Sequence, residues 1–130
     1  MDRRIVVQWT ATAKNQLARL PKKVRRGLLD KAGALREVED PRQVHKPLVG
    51  PLQGLYRITY ARYRAIYSVE ERELDGGERV LHVYVRFVAA GQRKERDRKD
   101  IYTIAQKLVD MGLIDLNPDD ADSDELDSKT

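Results

Sequence analysis

Residues 46–67, with the sequence KPLVGPLQGLYRITYARYRAIY, contain the pattern that decides the predicted fold. Two extended runs, Leu55–Tyr60 and Tyr63–Glu70, flank a tight turn at Ala61-Arg62. Both runs are rich in aromatic and β-branched residues, which is typical of strands. Because a very short turn can only join antiparallel neighbours, the sequence predicts a β-hairpin. Arginine binds phosphate and tyrosine stacks on bases, so the same hairpin suits a polyanion that carries flat bases.

Two further strands and three helices are predicted outward from this hairpin. Arg3–Trp9 is short and β-branched, and Arg79–Val88 alternates apolar with polar residues. Amphipathic spacing predicts a first helix capped by Thr10 or Thr12 and ending near Leu20. The same spacing predicts a second helix over residues 24–38 and a last helix over residues 99–111.

The predicted order is β-α-α-β-β-β-α, which indicates an α+β fold. We expect a helical hairpin on one face of a four-stranded, largely antiparallel sheet, with a C-terminal helix and an open second face for function or a partner. Residues 1–116 are expected to form one domain. Loops are predicted over residues 41–54 and 89–98, and a hairpin turn at Asp75-Gly76-Gly77.

Charge is distributed unevenly along the chain. Of 25 lysines and arginines and 21 acids, one base and six acids lie in residues 117–130, so residues 1–116 carry 24 bases and 15 acids. That surplus favours an anionic partner, although a merely soluble basic surface would have the same composition. The acidic segment 117–130 has too little apolar surface to order itself and is predicted to be a disordered tail.

Several classes of chemistry are excluded by composition. The chain has no cysteine, which excludes disulfides and thiolate catalysis, and only two histidines, which argues against a multi-histidine metal site. No window approaches the roughly 18 apolar residues of a membrane span, and no signal peptide is recognised. We therefore expect a soluble cytoplasmic protein with no metal, no cofactor and no membrane partner.

Three residues are candidates for chemistry. Arg57 and Arg64 lie on neighbouring strands, and if they share a face, two guanidinium groups converge on one patch. The alternative is that both are simply solvated. Tyr102 lies near the start of the last helix, beside basic residues that stabilise a phenolate, and is a candidate proton acceptor or base-stacking platform. Its alternative role is a tyrosine packed at a helix start.

The chain resembles the RelE/ParE toxins of type II toxin–antitoxin systems over roughly residues 5–111. The resemblance rests on four blocks in this order: residues 13–22 (AKNQLARLPK), Lys46-Pro47-Leu48 followed by residues 54–58 (GLYRI), residues 63–67 (YRAIY) and residues 98–102 (RKDIY). It implies a microbial-ribonuclease-like fold of the order given above.

For the RelE branch, the resemblance implies cleavage of messenger RNA on the ribosome, without metal, through attack of the 2′-hydroxyl on the adjacent phosphate. The matching catalytic residues are Arg57, Arg64, Arg96 and Tyr102. Further RNA contacts are assigned to Lys46, Arg62, Arg86, Arg93 and Arg98. A cognate antitoxin supplying an amphipathic helix is the implied protein partner. The alternatives are a ParE-like inhibitor of DNA gyrase and a catalytically degenerate binding member.

Overall fold

A four-stranded mixed sheet forms the centre of the molecule, with the strand order β1-β4-β3-β2. The computed structural model describes residues 2–74, 80–94 and 97–114. The strands are β1 (Asp2–Trp9), β2 (Tyr56–Tyr60), β3 (Tyr63–Leu74) and β4 (Val80–Gln92), and the helices are α1 (Ala11–Ala18), α2 (Lys22–Ala34), α3 (Pro41–Val44) and α4 (Ile101–Asp110).

The predicted fold class and element order are confirmed, with one short additional helix, α3. β2, β3 and β4 pair antiparallel, whereas β1 pairs parallel with β4 at the far side of the sheet. The predicted two-residue turn joins β2 to β3, and Ala61 adopts a positive φ of 52° there. This left-handed conformation matches the twist of a tight hairpin but is uncommon for a residue with a side chain.

Helices α1 and α2 cover one face of the sheet. Val24, Leu28 and Ala32 recur every four residues along α2, so they form one buried stripe. The stripe packs against Tyr67 and Phe87 of the sheet, in a core that also receives Leu17 and Leu35. Thr10 caps α1, as predicted, by accepting a hydrogen bond from the Ala13 amide at 3.1 Å.

Helix α4 covers part of the opposite face, which the sequence predicted to be open. Ile101 and Ala105 of α4 are fully buried against Ile66 and Ala89 of the sheet. Gly91 permits this approach, because a β-carbon at that position would lie 3.2 Å from Cδ1 of Ile101. The prediction of an uncovered face was therefore wrong for the end of the sheet near the β2–β3 turn.

Element boundaries differ from the predictions where tertiary contacts extend or end an element. β4 continues to Gln92, because Ala89 and Ala90 are buried and pair with β3, so the predicted loop begins only after Gln92. β3 likewise continues to Leu74. α4 begins at Ile101 rather than Lys99, because the Asp100 side chain caps it.

The second predicted helix ends at Ala34 and is followed by a 3₁₀ turn, Leu35–Glu37. The predicted loop over residues 41–54 contains α3 and a second 3₁₀ turn, Gly50–Leu52. The turn predicted at Asp75-Gly76-Gly77 and the tail predicted at residues 117–130 lie outside the described residues.

Candidate active site

Arg57 and Tyr102, 45 residues apart in sequence, meet on the α4 side of the sheet. Arg57 extends from β2, and its Nη1 donates a hydrogen bond to the hydroxyl oxygen of Tyr102 in the first turn of α4. The guanidinium carbon lies 5.8 Å from the centroid of the tyrosine ring, within the range of a cation–π contact. Both side chains are half-buried, so the pair is held in place yet accessible.

Arg64 lies on the same face of the sheet as Arg57. A shared face was the condition that the sequence analysis set for the two arginines to form one patch. Arg57 pairs with Ile66 and Thr59 pairs with Arg64, so Arg57 and Arg64 are diagonal neighbours. Diagonal positions of an antiparallel pair are separated by about 7–8 Å. The two arginines therefore occupy one patch of the sheet.

The Arg64 side chain, however, bends toward the β2–β3 turn. Its Nη1 donates to the carbonyl oxygens of Ala61 and Tyr63, each at 2.9 Å. The residue is only 8 % exposed, and its Nε has no hydrogen-bond partner among the described residues. Arg64 thus faces a different neighbourhood from the Arg57–Tyr102 pair.

That neighbourhood is an open, basic cavity of about 600 Å³ at the turn end of the sheet. We call it the turn pocket. The described residues that line it are Ala61, Arg62, Arg64, Gln92, Arg93 and Lys94. The structure therefore brings two predicted RNA-contact residues, Arg62 and Arg93, together with Arg64.

Asp100 joins the turn pocket to the helix that carries Tyr102. One carboxylate oxygen accepts a hydrogen bond from the amide of Lys94 at 2.6 Å. The other accepts from the amides of Tyr102, at 2.9 Å, and Thr103, at 3.3 Å. Because Asp100 is only 6 % exposed, one buried carboxylate positions both the end of the β4 segment and the start of α4.

Sequence reasoning missed Asp100 as a residue of the site. The signal that would have found it is its position, since aspartate directly before an amphipathic run is a preferred N-cap. Its second role, holding the Lys94 amide, depends on the path of the chain between β4 and α4 and leaves no local signal.

The remaining predicted site residues are dispersed. Lys46 is exposed beside Arg57, whose amide donates to the Lys46 carbonyl at 3.3 Å. Arg98 is exposed in the segment before α4. Arg86 is buried farther along the same face, with its Nη1 3.8 Å from a carboxylate oxygen of Glu70. That burial keeps Arg86 away from the exposed surface, and Arg96 lies outside the described residues.

The two histidines lie away from the Arg57–Tyr102 pair. The ring of His45 meets that of Tyr67 edge-on at 6.4 Å between centroids. Burial, with the nearby positive charge of Lys31, lowers the pKa of His45. His82 lies 3.4 Å through Nδ1 from the hydroxyl of Tyr84. Neither ring is positioned as a proton-transfer group for the pair.

Within residues 2–74, 80–94 and 97–114, no three histidine or carboxylate side chains cluster in a way that would hold a metal ion. No helix in those ranges has the length and apolarity needed to cross a bilayer.

Comparison with known proteins identifies relatives of one kind. Residues 7–86 match the profile of the ParE toxin of type II toxin–antitoxin systems, parDE. The match begins near the end of β1 and stops in the middle of β4, so it includes Arg57 and Arg64 but ends before Tyr102. No curated protein sequence matches the chain.

Similar chains occur among solved structures. The toxin–antitoxin complex RelBE2 from Mycobacterium tuberculosis contains a chain 26% identical to this one, with a TM-score of 0.53, over 69% of this chain and 99% of that chain. The isolated RelE toxin of Escherichia coli is 22% identical with a TM-score of 0.45, over 79% and 96% of the two chains. The YoeB/ParE toxin from Agrobacterium tumefaciens is 20% identical with a TM-score of 0.40, over 67% and 98%.

Proposed function

This chain belongs to the RelE/ParE family of type II toxin–antitoxin toxins, and from that premise we propose that it is an endoribonuclease that cleaves messenger RNA on translating ribosomes. The contact between Arg57 and Tyr102 carries the proposal. A guanidinium beside a phenol on an accessible face supplies both requirements of cleavage by a ribose 2′-hydroxyl: positive charge at the phosphate and a group that transfers a proton.

The direction of the hydrogen bond suggests the role of Tyr102. Because Arg57 donates to the hydroxyl oxygen, the proton of Tyr102 remains available for donation. In the proposed reaction the 2′-oxygen attacks phosphorus and gives up its proton to solvent water, the bond from phosphorus to the 5′-oxygen breaks, and Tyr102 protonates that leaving oxygen. The Tyr102 phenolate then regains a proton from water. The products are a 2′,3′-cyclic phosphate and a 5′-hydroxyl.

Arg57 acts electrostatically in this scheme. An arginine side chain is too basic to take a proton at neutral pH, so it cannot serve as the general base. Its charge stabilises the doubly negative phosphorane. Arg64 lies on the same face of the sheet but is directed to the turn pocket, away from the reacting pair. The proposed reaction uses neither metal nor cofactor.

The proposed protein partner is an antitoxin. The M. tuberculosis relative was solved as a toxin–antitoxin complex. Exposed apolar side chains occur at the end of α4, where Met111 is 69 % and Leu113 is 62 % exposed. An amphipathic antitoxin helix would cover such apolar surface and meet the neighbouring cations with acidic residues.

The decisive experiment is induction of the chain without its antitoxin, followed by mapping of RNA 5′ ends. We expect growth arrest and new 5′-hydroxyl ends within codons of translated messages. Purified chain added to programmed ribosomes should produce the same ends, and the Tyr102→Phe variant should not. Arrest with intact messages would contradict the proposal.

The match to the ParE profile favours a second candidate function, inhibition of DNA gyrase without hydrolysis. This activity would not need the phenol of Tyr102, which lies beyond the matched residues. Purified chain would then block supercoiling by gyrase, and the Tyr102→Phe variant would block it equally well. If the unaltered chain neither cleaves messenger RNA nor inhibits gyrase, antitoxin binding is the function that remains.

A further inference from the structure

We propose that the turn pocket binds a second phosphate of the same RNA, next to the phosphate that is cleaved. This inference rests on the proposed ribonuclease function and assigns Arg64 to substrate binding, apart from the reacting Arg57–Tyr102 pair. The described residues that line the pocket include neither Arg57 nor Tyr102, so the two sites are distinct parts of one surface.

Arg64 is the first observation in support. A guanidinium that is 8 % exposed loses most of its hydration, which is unfavourable unless its donors are paired. Two carbonyl oxygens pair with Nη1, yet Nε has no hydrogen-bond partner and no ion pair joins Arg64 to a carboxylate within the described ranges. An anion in the pocket would supply the missing negative charge.

The walls of the pocket are held before any ligand arrives. The Arg93 amide donates to the Arg62 carbonyl at 2.7 Å, which ties the β2–β3 turn to the end of β4. The Asp100 carboxylate holds the Lys94 amide at 2.6 Å. Because the backbone that carries Arg62, Arg93 and Lys94 is fixed in this way, binding of an anion orders side chains without having to order the backbone.

Position and size favour an RNA phosphate over a free anion. Arg57 and Arg64 leave the same face of the sheet from diagonal positions about 7–8 Å apart, so the Arg57–Tyr102 pair and the turn pocket are adjacent parts of one surface. A cavity of about 600 Å³ also exceeds what one phosphate fills and lies in the range that holds a molecule of nucleotide size. One strand can therefore occupy both sites at once.

The test uses a trinucleotide with 2′-deoxyribose at the cleavage position, so that the unaltered chain binds it without cutting. Each of its two phosphates is replaced in turn by a neutral methylphosphonate. The replacement that removes the charge in the turn pocket should weaken binding to the unaltered chain by about tenfold. That factor corresponds to the loss of one charge-assisted hydrogen bond. In the Arg62→Ala/Lys94→Ala variant, the same replacement should change the affinity by less than about twofold.

A matched control removes the same charge elsewhere. Lys22 and Arg26 are exposed on α2, on the other side of the sheet, and Lys22→Ala/Arg26→Ala should keep the full penalty for the methylphosphonate. A second measurement follows the Nε–H resonance of Arg64 by NMR, identified by its loss in Arg64→Lys. This resonance should shift when the trinucleotide is added.

Three results would overturn the assignment: an equal methylphosphonate penalty in the unaltered chain and the pocket variant, an unmoved Arg64 resonance under saturating trinucleotide, or no binding at all. Failure of the ribonuclease function gives a different result. The charge-dependent binding would then persist, supporting the pocket, while programmed ribosomes carry uncut message.

Discussion

The two faces of the sheet bury different kinds of side chain. Under the helical hairpin, the rings of Trp9, Phe87, Tyr67 and Tyr56 form a row, with successive centroids 4.3, 5.2 and 5.5 Å apart. Under and beside α4, apolar residues share the face with Arg57, Arg64, Glu70 and Arg86.

One face is therefore packed in the way that favours stability, and the candidate site lies on the other. Buried aromatic and aliphatic side chains stabilise the fold and, unlike buried charges, need no partner of opposite charge. Buried charges are unfavourable unless each is paired, so a face that keeps several of them departs from the best arrangement for stability. Such departures are expected at functional sites. Substitutions on the two faces should therefore affect different measurements.

The largest expected effect concerns the mixed face. Tyr102→Phe removes the hydroxyl that accepts from Arg57, and we expect the cleavage rate on programmed ribosomes to fall by about 10²–10⁴-fold, the usual contribution of a general acid. Thermal stability should change little. Tyr84→Phe, which removes a half-buried hydroxyl on the same face, is the control and should cleave normally. Equal activity of Tyr102→Phe and the unaltered chain would remove Tyr102 from the mechanism.

The hairpin face should show the opposite behaviour. Phe87→Ala removes a fully buried ring between Trp9 and Tyr67, and we expect the free energy of unfolding in urea to fall by about 3–5 kcal/mol. Val49→Ala, at a side chain that is 82 % exposed, should stay within about 0.5 kcal/mol of the unaltered chain. A loss below about 1 kcal/mol for Phe87→Ala would mean that this face is loosely packed.

Gly27 tests the contact between α2 and β2. A β-carbon there would lie 2.3 Å from the ring of Tyr60, so Gly27→Ala forces the ring or the helix to move, and we expect a loss of about 1–3 kcal/mol. Gly33→Ala in the same helix meets only the end of the Arg36 side chain, at 3.4 Å. That control should gain up to about 1 kcal/mol from helix propensity. If both variants are more stable than the unaltered chain, the Tyr60 ring moves aside at little cost.

Asp100 tests the link between the turn pocket and Tyr102. Asp100→Asn replaces one acceptor oxygen by a donor, so a buried amide loses its partner and we expect a loss of about 1–3 kcal/mol. If Asp100 positions Tyr102, kcat should fall more than KM rises. Asp97→Asn is the matched control, because among the described residues the Asp97 side chain accepts from the exposed Lys99 amide alone, at 2.8 Å. A change in stability with an unchanged kcat would limit Asp100 to a structural role.

The smallest effect concerns Tyr67, whose hydroxyl donates to the Pro41 carbonyl at 2.8 Å. Tyr67→Phe should cost about 1 kcal/mol at neutral pH. Burial, then the neighbouring Tyr56 and Asp40, raises the pKa of Tyr67 above its usual value of 10.0. As the pH rises, the Tyr67 hydroxyl therefore ionises in the unfolded chain before it ionises in the folded chain. Its contribution to the free energy of unfolding is present below about pH 10 and declines as the pH rises further.

The Phe variant tests this directly. Its urea stability should decline less than that of the unaltered chain between about pH 9 and pH 11. Parallel declines would contradict the role given to Tyr67. His45 has the opposite effect at acid pH. Its pKa is lowered in the folded chain, so its contribution to the free energy of unfolding is present above about pH 6.5 and is lost as the pH falls.

The order of elements could be predicted because it depends on local signals. The four-residue recurrence of Val24, Leu28 and Ala32, the alternation along β4 and the short turn at Ala61-Arg62 each act over a few residues. Boundaries were predicted less well. The extension of β4 to Gln92 depends on pairing with β3, a contact that the local composition of residues 89–92 does not reveal.

The candidate site was likewise predictable only in part. Alternation along two paired strands is enough to place Arg57 and Arg64 on one face, since side-chain direction follows from the two-residue period. Tyr102 reaches Arg57 only because α4 crosses that face, and Arg64 turns to its own pocket only because two carbonyl oxygens of the β2–β3 turn accept its donors. Residue types and periodicity thus determined which charged and aromatic groups each face of the sheet carries. The packing of α4 on β4 decided which of them meet, because contacts between residues far apart in sequence leave no trace in local pattern.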